Sequence, residues 1–199
     1  RALTDRERGA LLEALLGGAA PESLEAAVSA AWLGLYRDLL RDRTLPDGLK
    51  GYLLQVDEQP LDRRRLRHVR ECWQARRILL RAVARHAGGE AEALLTELDT
   101  RRAADPADTR GLSAGIERRF LAAVLMEPLA AADTPRAQRA LERHYAAAVQ
   151  ITDRLNALSA LHRSSHPRRR ELVAAAGDEL RPHLGGYIGW LGILGRSPH

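Results

Sequence analysis

Two histidines, His162 and His166, stand four residues apart, a spacing that places two imidazoles on one face of a helix. A zinc hydrolase of this pattern needs a glutamate directly after the first histidine to act as general base. Arg163 occupies that position, and Ser164 and Pro167 are expected to interrupt the helix. We therefore interpret the pair as exposed loop histidines and predict no metal ligand in this chain.

The single cysteine, Cys72, lies between Arg70 and Arg76, and neighbouring cations can lower the pKa of a thiol. A lone cysteine inside a helix is more often a small buried apolar residue. The sequence also contains neither a Gly-x-Ser-x-Gly elbow nor a glycine-rich phosphate loop. We predict no catalytic residue in this chain. A lone cysteine allows no internal disulfide and favours a reducing compartment, so we expect a cytoplasmic protein.

The strongest local signal is electrostatic, because residues 61–87 contain nine arginines and only two acidic residues. At about 100° per residue, one helix face carries six of these arginines, which we call the arginine flank: Arg63, Arg67, Arg70, Arg77, Arg81 and Arg85. A second face, about a third of a turn away, is apolar: Leu66, Val69, Trp73, Leu80 and Val83.

Three interpretations of the arginine flank remain open. It is a solvated helix face, the lining of a channel or domain contact, or a surface that binds nucleic acid. Nucleic-acid binding is the least favoured, since Trp73 is the one aromatic residue nearby that could stack on a base.

The composition of the 199 residues predicts a helical protein. Alanine, leucine, arginine and glutamate dominate, and all four are good helix formers, whereas aromatic residues make up only 4%. The net charge is +5, and Lys50 is the only lysine. No apolar run reaches the roughly 20 residues that cross a bilayer, so we expect no membrane partner. Four aromatic residues are predicted core anchors: Trp32, Tyr36, Tyr145 and Trp190.

Apolar periodicity predicts nine or ten helices joined by short turns. One helix is expected over residues 21–40, and another over 62–86, ended by Gly88 and Gly89 before a further helix over 90–102. Thr134 is a predicted N-cap before a first-turn proline, and Thr152-Asp153 is a second capping pattern. Short connections favour antiparallel neighbours. We therefore predict an all-α single domain over residues 1–199, with helical hairpins stacked as a curved, HEAT-like superhelical layer.

One segment is more specific than composition. Residues 151–158 read Ile-Thr-Asp-Arg-Leu-Asn-Ala-Leu, and a proline-led helix follows at Pro167. This pattern resembles the C-terminal helical domain of bacterial aminopeptidase N. Residues 120–123 and 189–194 resemble neighbouring segments of that family in the same order. The positions that carry the resemblance are Thr152, Asp153, Arg154, Leu155, Leu158 and Trp190.

The resemblance implies a division of labour within a larger enzyme. In this family the zinc ligands and the glutamate base lie in an earlier thermolysin-like domain, on a His-Glu-x-x-His motif that this sequence lacks. The resemblance therefore implies no cofactor in this chain, and zinc in the catalytic domain of the same polypeptide. The implied partners are that catalytic domain and the peptides that enter its chamber. The implied role is to cap the active-site chamber and restrict peptide access, as the non-catalytic C-terminal part of a zinc-dependent aminopeptidase.

A second hypothesis comes from the charge distribution alone. The chain would then be a free-standing helical-repeat adaptor that binds a protein or a nucleic acid through the arginine-rich helix 62–86. Salt-dependent binding of an anionic oligonucleotide would favour this alternative, because phosphate contacts release counterions.

Overall fold

The computed structural model describes residues 2–57, 67–103 and 115–195, and every regular element in these ranges is an α helix. The ten helices of these ranges are α1 Ala2–Leu16, α2 Pro21–Leu24, α3 Ala30–Arg41, α4 Asp47–Leu54, α5 Val69–Ala103, α6 Ile116–Ala132, α7 Pro135–Ala147, α8 Ile151–Arg163, α9 Arg169–Leu180 and α10 Leu184–Gly195. The prediction of an all-α, repeat-like fold is confirmed.

Helix α5 lies at the centre of the packing. It contacts α1, α2 and α3 as well as α6 and α7, and its fully buried side chains include Leu79, Val83 and Leu95. Towards the C-terminus, each of α6 to α10 packs on its neighbour in sequence, and α8 also contacts α6 and α10. The apolar side chains form a large core around α5 and α6 and a smaller one between α8, α9 and α10.

Helix α5 is kinked at Ala87, whose backbone angles are φ −140° and ψ 20°. The predicted break between a helix ending at residue 86 and a second helix over 90–102 is confirmed, because Ala87 leaves the helical conformation and a second helical segment then runs to Ala103. Both glycines keep φ outside the left-handed region, so neither forms a left-handed cap. Ala91 and the leucines after it are buried, so the segment after the kink also packs on the core. Residues 62–66 of the predicted helix lie outside the described ranges.

The helix predicted over residues 21–40 was wrong, because the structure divides it into α2 and α3. Leu24 and Val28 are both buried, so the intervening residues turn to place both in the core. Ser29 then caps α3, since its hydroxyl oxygen accepts a hydrogen bond from the Trp32 backbone N–H at 3.3 Å. Glu7 adds a bond from α1, accepting from the Ser29 backbone N–H at 3.4 Å.

The two capping predictions had opposite outcomes. Thr134 caps α7, and its hydroxyl oxygen accepts from the Ala137 backbone N–H at 3.2 Å. The second prediction was wrong, because Gln150 is the N-cap of α8 and Thr152 and Asp153 lie inside its first turn. The carboxylate of Asp153 is buried at this helix start and makes no side-chain cap.

Glycines allow close contacts between helices at several points in the described ranges. A Cβ on Gly51 would lie 2.9 Å from the Phe120 ring and 3.3 Å from the Leu121 backbone, where α4 crosses α6. A Cβ on Gly177 would lie 2.6 Å from the Trp190 ring, and one on Gly189 would lie 2.6 Å from Leu155. A side chain at Gly177 or Gly189 would overlap its neighbours. Because glycine has no Cβ, α10 can pack closely on α8 and α9.

Lys50 is buried within α4, with only 3% of its surface exposed. Its ammonium group donates a hydrogen bond to the Asp42 backbone carbonyl. Burial lowers the pKa of this amine below its usual value, and the nearby charge of Arg43 adds to the effect.

In the described ranges, no helix has both the length and the apolar character needed to cross a membrane.

Candidate functional site

The arginine flank predicted on α5 is not one uniform surface. Arg70 and Arg81 are exposed along the helix, and Arg67 is exposed just before its start. The Arg85 Nε atom pairs with Glu25 Oε1 at 3.0 Å. Arg77 differs from these residues because it is half-buried. Arg63, the first residue of the predicted flank, lies outside the described residues.

The apolar face predicted for the same helix is buried only over part of its length. Leu80 and Val83 are in the core, as predicted. The prediction was wrong for Val69, which is 73% exposed, and for Trp73, which is 39% exposed. Trp73 is open because its ring lines a cleft between helices. Leu66 of this face lies outside the described residues.

This cleft lies between α5, α6 and α8 and is open to solvent, with about 440 Å³ of space that includes part of the solvent at its mouth. It is called the arginine cleft below. Its charged lining brings three arginines next to one glutamate, and the rest is apolar. The lining residues are Trp73, Arg76, Arg77, Leu80, Glu127, Ala130, Ala131 and Arg163.

Glu127 of α6 joins the two other helices at the base of the arginine cleft. Its Oε2 accepts from the guanidinium of Arg76 on α5 at 3.1 Å, and its Oε1 accepts from Arg163 on α8 at 2.6 Å. Arg76 also donates to the Val56 backbone carbonyl at 2.9 Å, and Arg163 donates to the Ser159 hydroxyl at 3.1 Å. Each arginine is thereby held by several acceptors, so the cluster is rigid.

Two opposing effects set the pKa of Glu127. Burial raises the pKa of a carboxyl, but the positive charges of Arg163 and Arg76 and the hydrogen bonds from them together outweigh burial, and the pKa of Glu127 lies below its usual value. Tyr36 lies close behind the cluster, and burial, followed by the negative charge of Glu127, raises the pKa of its phenol well above the usual value. Its hydroxyl oxygen has no hydrogen-bond partner among the described residues.

Arg76 is the residue of this cluster that a helical projection could have identified. It stands three residues after Trp73 and four before Leu80, and so belongs to the apolar face of α5 and not to the arginine flank. An arginine on a buried face needs a partner, because an unpaired buried charge is costly. The partner could not be predicted, since Glu127 lies on a helix 51 residues further along the chain.

Arg77 presents the remaining guanidinium of the arginine cleft. Its Cζ lies 5.2 Å from the centre of the Trp73 ring, within the range of a cation–π contact. Burial lowers the pKa of Arg77 and the charge of Arg81 adds to this, whereas Asp133 opposes it. Within the described ranges, no carboxylate lies at ion-pair distance from Arg77.

The interpretation of His162 and His166 as exposed loop histidines was wrong. His162 lies in the last turn of α8 and is half-buried, and His166 is buried. The Nδ1 atom of His166 accepts from the Arg168 backbone N–H at 3.2 Å, which leaves the ring proton on Nε2, 3.3 Å from Glu142 Oε2. Both ring nitrogens of the buried His166 therefore have a polar partner. Arg163, which replaces the glutamate of a zinc motif, instead binds Glu127.

Cys72 is buried, with 5% of its surface exposed, which agrees with the interpretation of this residue as a small apolar side chain. In the described ranges, no group of three or more His, Cys, Asp or Glu side chains is arranged to hold a metal ion.

The residues that carry the sequence resemblance meet where α7 to α10 pack together. Arg154 stacks over the Tyr145 ring at 5.4 Å and makes a two-pronged ion pair with Glu179, one bond of which measures 2.7 Å. Leu158 is in the smaller core, and Leu155 packs against it. Trp190 donates from its indole N–H to the Val173 backbone carbonyl at 2.8 Å. These contacts give the motif a structural role, in which α8 is the shared neighbour of α7, α9 and α10.

The comparison with protein families settles what this packing belongs to. A family model described as an ARM-repeat domain of unknown function, DUF3458_C, matches residues 2–199. The chain belongs to this family. DUF3458_C is the C-terminal domain of aminopeptidase N proteins, so the resemblance predicted from residues 151–158 is confirmed. No curated protein is similar enough to the chain to count as a match.

A second buried polar group lies in this DUF3458_C domain, at the start of α8. His144 Nδ1 lies 2.6 Å from Asp99 Oδ1, and Arg102 pairs with the same oxygen at 3.2 Å. Asp153 is 3% exposed. Burial raises the pKa of Asp153, and the charges of His144 and Arg102 only partly oppose the increase. The ionised form of the motif residue Asp153 is therefore less favourable in this fold than in water.

Proposed function

We propose that this chain is the non-catalytic C-terminal helical domain of an aminopeptidase N-type zinc exopeptidase. It caps the active-site chamber and restricts the peptides that enter it. The match of the whole described chain to the DUF3458_C family carries this proposal. The partners are the catalytic domain of the same polypeptide and the entering peptides, and the setting is cytoplasmic.

The mechanism in this proposal is steric and electrostatic. A layer of ten helices in the described ranges supplies a firm wall, because α5 and α6 are held together by a large apolar core. Glu127 fixes α5, α6 and α8 to one another, so charged groups in the arginine cleft keep their positions. Zinc belongs to the catalytic domain of the proposed enzyme, and no chemical step is assigned to residues of this chain.

Hydrolysis of an aminoacyl-arylamide tests the proposal. We expect the chain alone to show no turnover when zinc is added, and the full-length polypeptide to be active. Deleting this domain should change the rates for peptides of different lengths more than the rate for the small arylamide, since only peptides must pass the wall. A His-Glu-x-x-His motif in the sequence upstream of Arg1 is expected.

Two results would contradict the proposal. One is turnover, or tight stoichiometric zinc binding, by the chain alone. The other is a parent polypeptide without peptidase activity or without the upstream zinc motif. A control for the deletion is a full-length variant with Arg139→Gln on the exposed side of α7, which should hydrolyse both substrate classes as the wild type does.

The adaptor alternative keeps one supporting observation, the exposure of Arg67, Arg70 and Arg81 along one side of the chain. Against it, Arg85 is paired with Glu25 and Arg77 is turned into the arginine cleft. A phosphate backbone would thus meet a short and interrupted row of charges. Binding of an anionic oligonucleotide by the chain at low salt, lost at high salt, would favour the alternative, and no binding at low salt would exclude it.

A further inference from the structure

The guanidinium of Arg77 lies in the arginine cleft without a carboxylate partner from the described part of the chain. Its two neighbours are different, because Arg76 and Arg163 divide the two oxygens of Glu127 between them. The cleft therefore holds three positive groups and one negative group. A half-buried arginine without an acidic partner has N–H groups that can bind an anion.

A cation–π contact favours one position of Arg77 before any ligand arrives. Its guanidinium lies over the Trp73 ring, with Cζ 5.2 Å from the ring centre. A planar guanidinium presents two parallel N–H bonds, which match the two oxygens of a carboxylate. Arg76 and Arg163 already donate to protein acceptors, so Arg77 is the one lining arginine with its donors available.

The remaining wall of the cleft is apolar. Trp73 is 39% exposed, and Leu80, Ala130 and Ala131 line the surface beside it. Exposed tryptophan next to aliphatic side chains favours a ligand with an apolar part, because burying that part removes it from water.

We propose that the arginine cleft binds an organic carboxylate that carries an apolar group. Arg77 pairs with the carboxylate, and the apolar group lies against Trp73 and the aliphatic wall. A phosphate fits less well, since a dianion needs several free donors and only one guanidinium offers them. The proposal concerns a site within this chain and does not depend on the peptidase function proposed above, so either can fail without the other.

Calorimetric titration of the purified chain with N-acetyl-leucine tests the proposal, and N-acetyl-leucinamide serves as the uncharged analogue for comparison. We expect the acid to bind and the amide to bind at least about tenfold more weakly, because a charge-assisted pair is lost. Binding of the acid should also change the fluorescence of Trp73, and the change should be absent in Trp73→Phe.

Arg77→Gln should weaken binding of the acid about tenfold or more, while Arg139→Gln, the same charge change on exposed α7, should leave it unchanged. Circular dichroism shows whether each variant folds. If Arg77→Gln does not fold, Arg77→Lys is the second variant. It keeps the charge but loses the two-pronged geometry, and it should bind the acid more weakly than the wild type.

Four outcomes would overturn the proposal. The first is no binding of the acid at concentrations up to about 10 mM. The second is equal affinity for acid and amide, and the third is an equal loss in Arg77→Gln and Arg139→Gln. The fourth is inorganic phosphate competing as strongly as N-acetyl-leucine, because the cleft would then recognise charge alone.

Discussion

Glu127 connects three helices through two ion pairs, and so its side chain has an importance beyond its own helix. A carboxylate that is 23% exposed and held by two arginines contributes more than a surface pair. Removing it would leave Arg76, which is 8% exposed, without its charge partner. The ion pairs of Glu127 therefore contribute both to neutralising Arg76 and to holding α5, α6 and α8 together.

We expect Glu127→Gln to lower the free energy of unfolding by about 3 kcal/mol near neutral pH, the lower end of the range for breaking a buried pair. The native pKa of Glu127 is lowered from 4.5. The stabilisation is therefore complete above that ordinary value and is lost as the pH falls through the native pKa. Urea denaturation of variant and wild type should give a difference that shrinks in acid.

Glu22→Gln on α2 is the control for this prediction. Glu22 is exposed, and we expect its loss to change the free energy of unfolding by no more than about 0.5 kcal/mol. A cost for Glu127→Gln as small as that of Glu22→Gln would show that the ion pairs contribute little.

Asp153 gives the opposite pH dependence. Its native pKa is raised from 3.8, so its favourable contribution is complete below that value and is lost as the pH rises through the native pKa. Asp153→Asn cannot ionise, so near neutral pH the variant should be at least as stable as the wild type. This advantage should disappear in acid, as measured by the urea midpoint. Lower stability of Asp153→Asn near neutral pH would show that attraction to His144 and Arg102 outweighs burial.

Helix boundaries show which structural features local sequence determines. Thr134 was predicted as a cap because a hydroxyl before a first-turn proline acts on its own backbone. The break between α2 and α3 carries no such signal, because residues 25–28 are good helix formers apart from Val28, and the division arises from burial of Leu24 and Val28 in the core. The break near Ala87 could be predicted because two glycines follow it, although neither glycine forms the left-handed cap that was expected.

Two glycine-to-alanine changes separate helix propensity from close packing. Gly88→Ala meets open space and should raise the free energy of unfolding by up to about 1 kcal/mol, because alanine is the better helix former. Gly177→Ala places its Cβ 2.6 Å from the Trp190 ring. It should lower the free energy of unfolding by about 1–3 kcal/mol, as overpacking does.

Thermal denaturation of both glycine variants, with Trp190 fluorescence as a second probe, measures these effects. A stabilising Gly177→Ala would mean that the Trp190 ring moves aside without loss. A destabilising Gly88→Ala would mean that the kink at Ala87 needs glycine after it.

At the scale of the whole molecule, ion pairs join the part of α5 after the kink at Ala87, which we call its second arm, to α3, α7 and α4. Arg41 pairs with Glu90 at 2.5 Å, and Arg136 pairs with Glu92 at 2.6 Å. Further along the arm, Arg101 pairs with Asp47 at 2.6 Å. Each arginine of these pairs is well exposed, so each pair is expected to contribute no more than about 1 kcal/mol. The apolar core, not this charge network, is expected to supply most of the stability.

We therefore expect about 1 M sodium chloride to lower the free energy of unfolding by no more than about 2 kcal/mol, because salt screens exposed pairs and leaves the core intact. Chemical denaturation with urea at low and high salt measures the change. Unfolding of the chain by salt alone would contradict this ranking, and would show that its stability depends on the surface charges.

The burial of Lys50 makes chemical modification a test of folding. The sequence has one lysine, and this side chain is buried, with its amine bonded to the Asp42 carbonyl. Reagents that acylate amines can reach this side chain only when the surrounding helices separate. Acylation followed by mass spectrometry would therefore time the opening of one particular part of the fold, with no competing lysine to obscure the signal.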